Sequence, residues 1–443
     1  MIEQIYHYAY SSTLSPSKKG HRLALASDRS ETAQPVFLKA RALQPDVTAK
    51  SLRAVSEIVA SRFYVPPSML AKILREADPV ATVGAGAVRF EGFSACCSAY
   101  IRLDIDDEAL AVEARRKGTT NVDFGAELRG TLSTVARNTA MEIGIGAEGV
   151  EVVTDGTSII EKKVPLPLRW VKGFAEVQLA IAGMEPAFSL PRVAAQRFLR
   201  GLPRGKNDQL VWLTAAGPTV RQSARESAGA IPLRGSHRLR VFEQLAALAE
   251  SLEVHVNRAT GATSWALDFG GQRLWLVLNV EPWRGFSGDG GLLSRMASDD
   301  QTGAAALRAQ LNWQDRIDPG ALAAATGLTP ETVDVALAKL AAGGRLGFDL
   351  LQAAYFHRDL PFDMSRVEGM HPRLKAARGL LDAGAVRWSG EDADVVSKDV
   401  THRVTHGDDG WRCTCPWYAK NGGQRGPCKH ILAAEMDLER QND

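Results

Sequence analysis

The carboxyl-terminal region contains the sequence Trp411-Arg-Cys413-Thr-Cys415-Pro-Trp-Tyr-Ala-Lys-Asn-Gly-Gly-Gln-Arg-Gly-Pro-Cys428-Lys-His430. It contains the pattern Cys-x-Cys, a gap of twelve residues, and Cys-x-His. Three thiolates and one imidazole make a complete tetrahedral ligand set, and these soft ligands favour zinc over magnesium, calcium or manganese. We therefore predict that Cys413, Cys415, Cys428 and His430 bind one Zn²⁺.

The sequence on both sides of these ligands predicts a ββα unit. Residues 398–405 alternate like a strand, residues 407–410 have the composition of a turn, and residues 411–415 would return as the second strand. Residues 429–438 have helical character. The last two ligands would then lie at the start of a closing helix.

The ligand set indicates a structural zinc rather than a catalytic one. A catalytic zinc keeps three protein ligands and an open position for water, whereas four ligands with three thiolates saturate the ion. A structural zinc in a finger peptide contributes an apparent binding energy of about 10 to 16 kcal/mol. The alternative, a chance cluster of small buried cysteines beside a histidine, requires the ligands, the turn and the helix all to coincide.

The Cys-x-Cys and Cys-x-His pattern resembles the SWIM-type zinc finger, and all four ligand positions match over about residues 395–440. Other segments are similar to bacterial SWIM zinc finger proteins of this length, among them Arg62-Phe-Tyr-Val-Pro-Pro, Trp283-Arg-Gly-Phe-Ser-Gly and Ala354-Tyr-Phe-His-Arg-Asp-Leu-Pro-Phe. Such proteins are thought to accompany MoxR-type AAA+ ATPases and von Willebrand A domain proteins. The resemblance implies a non-enzymatic adaptor that brings proteins together in such a system.

Basic and aromatic residues surround the predicted zinc ligands. They suit either an acidic partner protein or single-stranded nucleic acid, and nucleic-acid (DNA) binding is the alternative function. A third interpretation is that the aromatic residues pack the small core of the finger and the charges are solvated. The candidate contact residues are Arg403, Arg412, Trp417, Tyr418, Lys420, Arg425 and Lys429.

Residues 304–366 resemble a winged helix-turn-helix domain. Pro319 and Pro330 stand at first helical positions, and glycine and threonine between them supply a turn and a cap. The second helix carries Glu331, Asp334 and a lone Lys339, a net charge of −1 from one positive and two negative residues. Because that surface repels a duplex, the segment favours protein docking over DNA reading.

The remaining sequence predicts α+β structure in every region of a multidomain chain. We predict an N-terminal α+β domain at 1–165, a middle α+β domain at 166–303, the winged-helix-like domain at 304–366 and the zinc finger domain at 367–443. The clearest hairpin joins residues 263–269 to residues 273–280 across two glycines. A helix is expected over residues 237–252. Whether the first 303 residues form one domain or two is left open by the sequence.

Composition excludes several classes of protein. The chain has 443 residues, of which 45% are hydrophobic and 23% charged, and a formal net charge of +2. These values argue against disorder, a membrane protein and binding of nucleic acid through bulk charge. The opening Met-Ile-Glu-Gln-Ile-Tyr-His lacks the pattern of a secretory signal, so we expect a cytoplasmic protein.

Two further features bear on chemistry. Cys96 and Cys97 are adjacent, which is compatible with a vicinal redox pair or with small buried residues at a strand edge. No Gly-x-Ser-x-Gly motif, His-Glu-x-x-His motif or recognisable Ser/His/Asp set is present. We therefore expect no enzymatic activity.

Overall fold

A computed structural model describes residues 13–17, 20–24, 36–63, 79–122, 124–147, 149–162, 166, 168–286, 290, 301–360, 371–407, 410–422 and 425–442. The described chain mixes helices with antiparallel sheets, as the sequence predicts. None of the described helices is both long and apolar enough to cross a membrane.

The strands of the described residues form six sheets. In chain order they are β1 (Thr13–Ser17), β2 (Gly20–Ala24), β3 (Val36–Ala42), β4 (Val80–Val83), β5 (Ala87–Phe93), β6 (Ala99–Asp106), β7 (Leu110–Arg115), β8 (Gly118–Asn121), β9 (Met141–Gly146), β10 (Gly149–Thr154), β11 (Thr157–Lys162), β12 (Glu185–Pro191), β13 (Leu210–Ala216), β14 (Thr219–Ser223), β15 (Ile231–Arg234), β16 (Ser251–Val256), β17 (Thr263–Asp268), β18 (Gln272–Leu278), β19 (Leu346–Asp349), β20 (Ala354–His357), β21 (Val386–Ser389), β22 (Asp392–Ser397), β23 (Val400–Gly407) and β24 (Gly410–Cys413).

The α-helices of the same residues are mostly short. They are α1 (Pro45–Ala60), α2 (Ala126–Thr134), α3 (Leu168–Ala182), α4 (Arg192–Arg200), α5 (Gln301–Ala309), α6 (Pro319–Thr326), α7 (Pro330–Ala342), α8 (Pro372–Asp382), α9 (Pro416–Asn421) and α10 (Lys429–Asn442). Two 3₁₀-helices cover Asp107–Ala109 and Ser236–Phe242.

The chain divides into two compact units. The first contains residues 1–167, 184–283 and 358–361, and the second contains residues 168–183, 284–357 and 362–443. The predicted division into four domains has different boundaries and stays a prediction.

An antiparallel eight-stranded sheet dominates the first unit, in the order β12-β16-β17-β18-β6-β5-β4-β8. Its central pairing joins β18 to β6, with Leu274 opposite Leu103. Strands from the predicted N-terminal and middle domains therefore share one sheet, and these two sequence ranges fold together. The predicted hairpin is confirmed, since β17 pairs with β18 across Gly270 and Gly271, both with positive φ.

The first unit also contains a five-stranded sheet in the order β11-β10-β9-β3-β7 and a three-stranded sheet in the order β14-β13-β15. The predicted helix over residues 237–252 is wrong. A 3₁₀-helix covers only its beginning, and Leu252 lies in β16, fully buried between Leu190 of β12 and Leu267 of β17.

In the second unit, α5, α6 and α7 pack together with the β19–β20 hairpin. The Asp318 side chain caps α6, and the Thr329 side chain caps α7. Leu322 of α6 and Leu337 of α7 belong to one buried cluster with Leu346 of β19. The predicted order of helix, turn, helix, turn and strand is present.

The carboxyl-terminal part of the second unit is a four-stranded antiparallel sheet, β21-β22-β23-β24, against which α10 packs. Its buried cluster combines Val395, Val404 and Ile431 with the three cysteines of this region. Residues 408 and 409, in the predicted turn between β23 and β24, lie outside the described residues.

Candidate metal centre

The four predicted ligands lie together in one buried cluster. The Sγ atoms of Cys413, Cys415 and Cys428 and one ring nitrogen of His430 are all within 4.8 Å of one another. All four side chains are buried. The four residues that the sequence spacing predicts as ligands therefore lie close together in the structure.

Three different elements position these ligands. Cys413 is the last residue of β24, Cys428 immediately precedes α10, and His430 lies in the first turn of that helix. Cys415 does not continue the second strand as predicted but caps the short helix α9. Pro416 at the first position of α9 was the available signal, since proline favours that place in a helix.

Each sulfur accepts a hydrogen bond from a backbone N–H. Cys413 Sγ accepts from the N–H of Cys415 at 3.4 Å, and Cys415 Sγ accepts from Tyr418 at 3.3 Å. Cys428 Sγ accepts from Ile431 at 3.5 Å. Such donors reduce the excess negative charge that three thiolates place on one divalent ion, and they fix the sulfur positions.

The His430 ring presents its Nδ1 atom to the thiols, 3.8 Å from Cys413 Sγ and 3.9 Å from Cys428 Sγ. In a tetrahedral zinc site, Zn–S distances of about 2.3 Å and Zn–N distances of about 2.0 Å imply sulfur–nitrogen separations of roughly 3.6 Å. The observed separations are close to that value. We therefore assign Nδ1 as the ligand atom.

The thiols influence one another's ionisation. The S–H of Cys413 donates to Cys428, and this hydrogen bond lowers the pKa of Cys428 to about 4 against the opposing effect of burial. Donation to Cys428 in turn raises the pKa of Cys413, and burial raises the pKa of Cys415. Zinc binds thiolates, so a bound cation must displace the protons of these thiols.

These observations fit zinc. Three sulfurs and one imidazole nitrogen are the ligand chemistry of structural zinc, two of the sulfur–nitrogen separations are close to those of a tetrahedral site, and all four side chains are buried. Bound zinc would hold β24, α9 and α10 together. No ligand position is left for a substrate or a reactive water in this four-ligand set.

Comparison with known proteins agrees with this geometry. Residues 398–439 match the SWIM zinc finger family. These residues form a SWIM zinc finger. No curated protein matches the chain. A chain from the crystal structure of the PCNA2-PCNA3 complex of Sulfolobus tokodaii is similar with 10% identity and a TM-score of 0.41, over 55% of this chain and 98% of that one. That structural similarity is too weak to support an inference.

The aromatic candidates for partner contact lie partly inside the SWIM finger. Trp417 and Tyr418 are half-buried and pack against its core. The Tyr418 hydroxyl donates to the Trp411 carbonyl at 3.0 Å. Both side chains therefore contribute to the core of the finger, and only part of each is available to a partner.

The basic candidates differ in their exposure to solvent and in their contacts with other side chains. Arg403 forms an ion pair with Asp392, and Lys429 donates to Ser397 Oγ at 2.7 Å. Arg425 is half-buried, whereas Arg412 and Lys420 are exposed. Arg403 is exposed as well, with 49% of its side chain accessible, so three of the basic candidates can be reached by a partner.

One residue that supports the metal-binding loop has no recognisable signal in the sequence. Arg373, in the first turn of α8, donates to the carbonyls of Arg425 at 2.6 Å and Pro427 at 2.8 Å. Its guanidinium also lies 4.6 Å from the centre of the Trp417 ring. Arg373 precedes these partners by more than forty residues, so no local pattern could have revealed it.

Proposed function

We propose that this protein is a non-enzymatic adaptor in which a structural zinc stabilises the SWIM finger and exposed surfaces bind other proteins. The observation that carries the proposal is the closed ligand set, four buried side chains whose donor atoms lie within 4.8 Å of one another. A saturated zinc braces a fold and provides no site for chemistry. The sequence motifs of common enzymes are absent as well.

The docking surface that we propose is the exposed side of α7. Glu331 and Asp334 are exposed there, and Val335 beside them is 37% exposed. Acidic charge next to an exposed apolar side chain suits a protein partner with a basic, partly apolar surface, and it opposes DNA phosphates. We propose that α5 to α7 and the β19–β20 hairpin form a winged-helix-like domain used for docking.

The partners are proposed from resemblance. Bacterial SWIM zinc finger proteins of this kind are thought to accompany MoxR-type AAA+ ATPases and von Willebrand A domain proteins, and we place this chain in such a cytoplasmic system. Its role would be to bring a target to the assembly.

Nucleic-acid binding is the second candidate function. It is favoured by Arg412 and Lys420, which are exposed on the SWIM finger next to half-buried aromatic residues. Such a surface suits single-stranded nucleic acid.

Binding measurements on the zinc-loaded full chain separate the two candidates. A MoxR-type ATPase and a von Willebrand A domain protein from the same genome would be titrated against the wild type, against Asp334→Lys, and against the matched variant Lys420→Glu. Docking through α7 predicts that Asp334→Lys weakens partner binding by about tenfold, or about 1.4 kcal/mol, while Lys420→Glu does not.

A parallel titration uses labelled single- and double-stranded DNA over a range of salt concentrations. Phosphate contacts would give an affinity that falls steeply with salt and that Lys420→Glu weakens. Such a result, together with no binding to either protein, would reject the adaptor proposal in favour of the second candidate.

A further inference from the structure

A tight turn between β5 and β6 holds the adjacent cysteines noted in the sequence. The Cys97 N–H donates to the Ser94 carbonyl at 2.7 Å, and Cys97 adopts a positive φ of 54°. A positive φ is uncommon for a residue other than glycine and favours a tight turn. Cys97 is buried, whereas Cys96 is half-buried. The turn therefore leaves Cys96 partly exposed to solvent and buries Cys97.

One backbone N–H and two hydroxyl groups lie within hydrogen-bond distance of the Cys96 sulfur. The Phe63 N–H donates to Sγ at 3.2 Å, and the hydroxyls of Ser98 and Ser94 lie 3.0 Å and 3.5 Å from it. The Ser94 oxygen accepts from the N–H of Ala99 at 3.0 Å. Its own hydrogen is thus available to the sulfur. This surrounding of donors matches a thiolate, which only accepts hydrogen bonds, better than a thiol.

A buried guanidinium completes the arrangement. Arg238 is 5% exposed and donates from Nη1 to Ser98 Oγ at 2.8 Å, which leaves the Ser98 hydrogen for the Cys96 sulfur. Its Nε and Nη2 atoms are buried and have no hydrogen-bond partner among the described residues. Arg238 forms no ion pair with a carboxylate in that part of the chain. The guanidinium lies 5.7 Å from the centre of the Phe63 ring, but a buried cation without a negatively charged partner is costly, so this site calls for an anion.

The ionisation of both groups agrees with this geometry. Burial by itself would raise the pKa of Cys96, but the hydrogen bonds from Phe63, Ser94 and Ser98 and the charge of Arg238 lower it. Burial lowers the pKa of Arg238 to about 10, and the negative charge of Cys96 opposes that shift. Low thiol pKa and partial exposure are the properties of reactive cysteines.

We infer that Cys96 is a reactive thiolate, held by Ser98 and Arg238, that is modified by small peroxides. Its sulfur attacks one oxygen of hydrogen peroxide, the S–O bond forms and the O–O bond breaks, and the departing hydroxide takes a proton from solvent to become water. The sulfur loses two electrons and becomes a sulfenic acid, while the peroxide gains them. The site is independent of the zinc ligands and of the proposed docking function.

The test measures the reactivity of Cys96 in the zinc-loaded full chain. Alkylation by iodoacetamide would be followed against pH, with fragment-ion mass spectrometry to distinguish Cys96 from Cys97. We expect a midpoint for Cys96 below the value of about 8.5 for an unperturbed thiol, and slow reaction at Cys97. Treatment with hydrogen peroxide and a sulfenic-acid probe should label Cys96 in the wild type and in Cys97→Ser, and should label nothing at this turn in Cys96→Ser.

Variants of the supporting residues distinguish a tuned thiolate from a structural cysteine. Ser98→Ala and Arg238→Met should move the alkylation midpoint to higher pH, whereas Arg238→Lys should move it less because the charge remains. If Arg238→Met fails to fold, as judged by circular dichroism, Ser98→Ala decides. A wild-type midpoint at or above about 8.5, an unreactive Cys96, or an unchanged midpoint in folded Ser98→Ala would overturn the inference.

Discussion

Cys413 lies at the end of β24, where its sulfur contacts both His430 Nδ1 and the N–H of Cys415. Replacing it by serine removes one of three thiolate ligands, and a serine hydroxyl does not ionise at neutral pH. Because the zinc of a finger contributes an apparent binding energy of about 10 to 16 kcal/mol, we expect Cys413→Ser to lose the metal and unfold the SWIM finger.

Metal analysis and limited proteolysis check this expectation. Cys413→Ser should contain much less than one zinc per chain and be cleaved within residues 398–439. Cys97→Ser, which alters a buried cysteine outside the cluster, should retain its zinc. One zinc per chain in Cys413→Ser would show that this sulfur is not a ligand.

His371 should make stability depend on pH. It is 5% exposed at the amino-terminal end of α8, and burial, followed by the charges of Lys172 and Arg373, lowers its pKa to about 4. In the unfolded chain the histidine pKa is about 6.5. Between these values only the unfolded chain binds the proton, so the free energy of unfolding should fall as pH decreases from about 6.5 to about 4.

The size of this effect should be about 2 kcal/mol between pH 7 and pH 4.5. Urea unfolding of the wild type and of His371→Gln would be compared at both pH values, because loss of zinc in acid affects both proteins alike. The wild type should lose more stability than the variant. Equal losses would mean that His371 is protonated in the folded protein near its ordinary pKa.

Single residues were predictable where their function depends on spacing along the chain. The four zinc ligands follow from Cys-x-Cys and Cys-x-His because these two patterns, a short distance apart in the chain, supply a complete ligand set for zinc. Arg373 and Arg238 could not be found in this way, since their partners Trp417 and Ser98 are distant in sequence. Their roles depend on tertiary packing.

Helix α7 has a buried face, which stabilises the second unit, and an exposed face, which does not. Leu337 is fully buried in the cluster with Leu322 and Leu346, whereas Val335, two residues away, is 37% exposed. Leu337→Ala should lower the free energy of unfolding by about 3 kcal/mol, because it leaves a cavity. Val335→Ala on the same helix should cost less than about 1 kcal/mol. Chemical denaturation would measure both, and equal costs would contradict the assigned faces.

Helices with strong end signals were predicted well, and one predicted helix was not found. Pro319 and Pro330 open α6 and α7, and Thr329 caps α7, where the sequence places them, because these end signals depend only on neighbouring residues. Over residues 237–252 the apolar spacing fits a helix, yet Leu252 forms part of a strand with strands on both sides. Burial between two strands outweighed the local preference.

The eight-stranded sheet contains strand pairings that no local sequence pattern specifies. β6 pairs with β18, although more than 160 residues separate them. The sequence predicts β18 as one half of a hairpin with β17, but no local pattern identifies β6 as its other neighbour. The sequence therefore left open whether residues 1–303 form one domain or two.

A buried ion pair in the first unit joins two residues that are far apart in the sequence. Arg358 donates to Glu91 of β5, which lies 267 positions earlier, and both side chains are fully buried. The Tyr100 hydroxyl donates to the same carboxylate at 2.6 Å. Burial and the negative charge of Glu91 raise the pKa of Tyr100, so it remains protonated and continues to donate.

Removing one member of this pair should cost more than removing the charge of both. Arg358→Met leaves the Glu91 carboxylate buried beside Tyr100, and we expect it to lower the free energy of unfolding by about 3 to 5 kcal/mol. In the double variant Glu91→Gln, Arg358→Met neither member of the pair carries a charge, and the amide oxygen introduced in place of the carboxylate can still accept from Tyr100. The double variant should therefore be more stable than Arg358→Met alone, as measured by urea unfolding. A double variant less stable than either single variant would show that Arg358 stabilises the unit by packing rather than by neutralising Glu91.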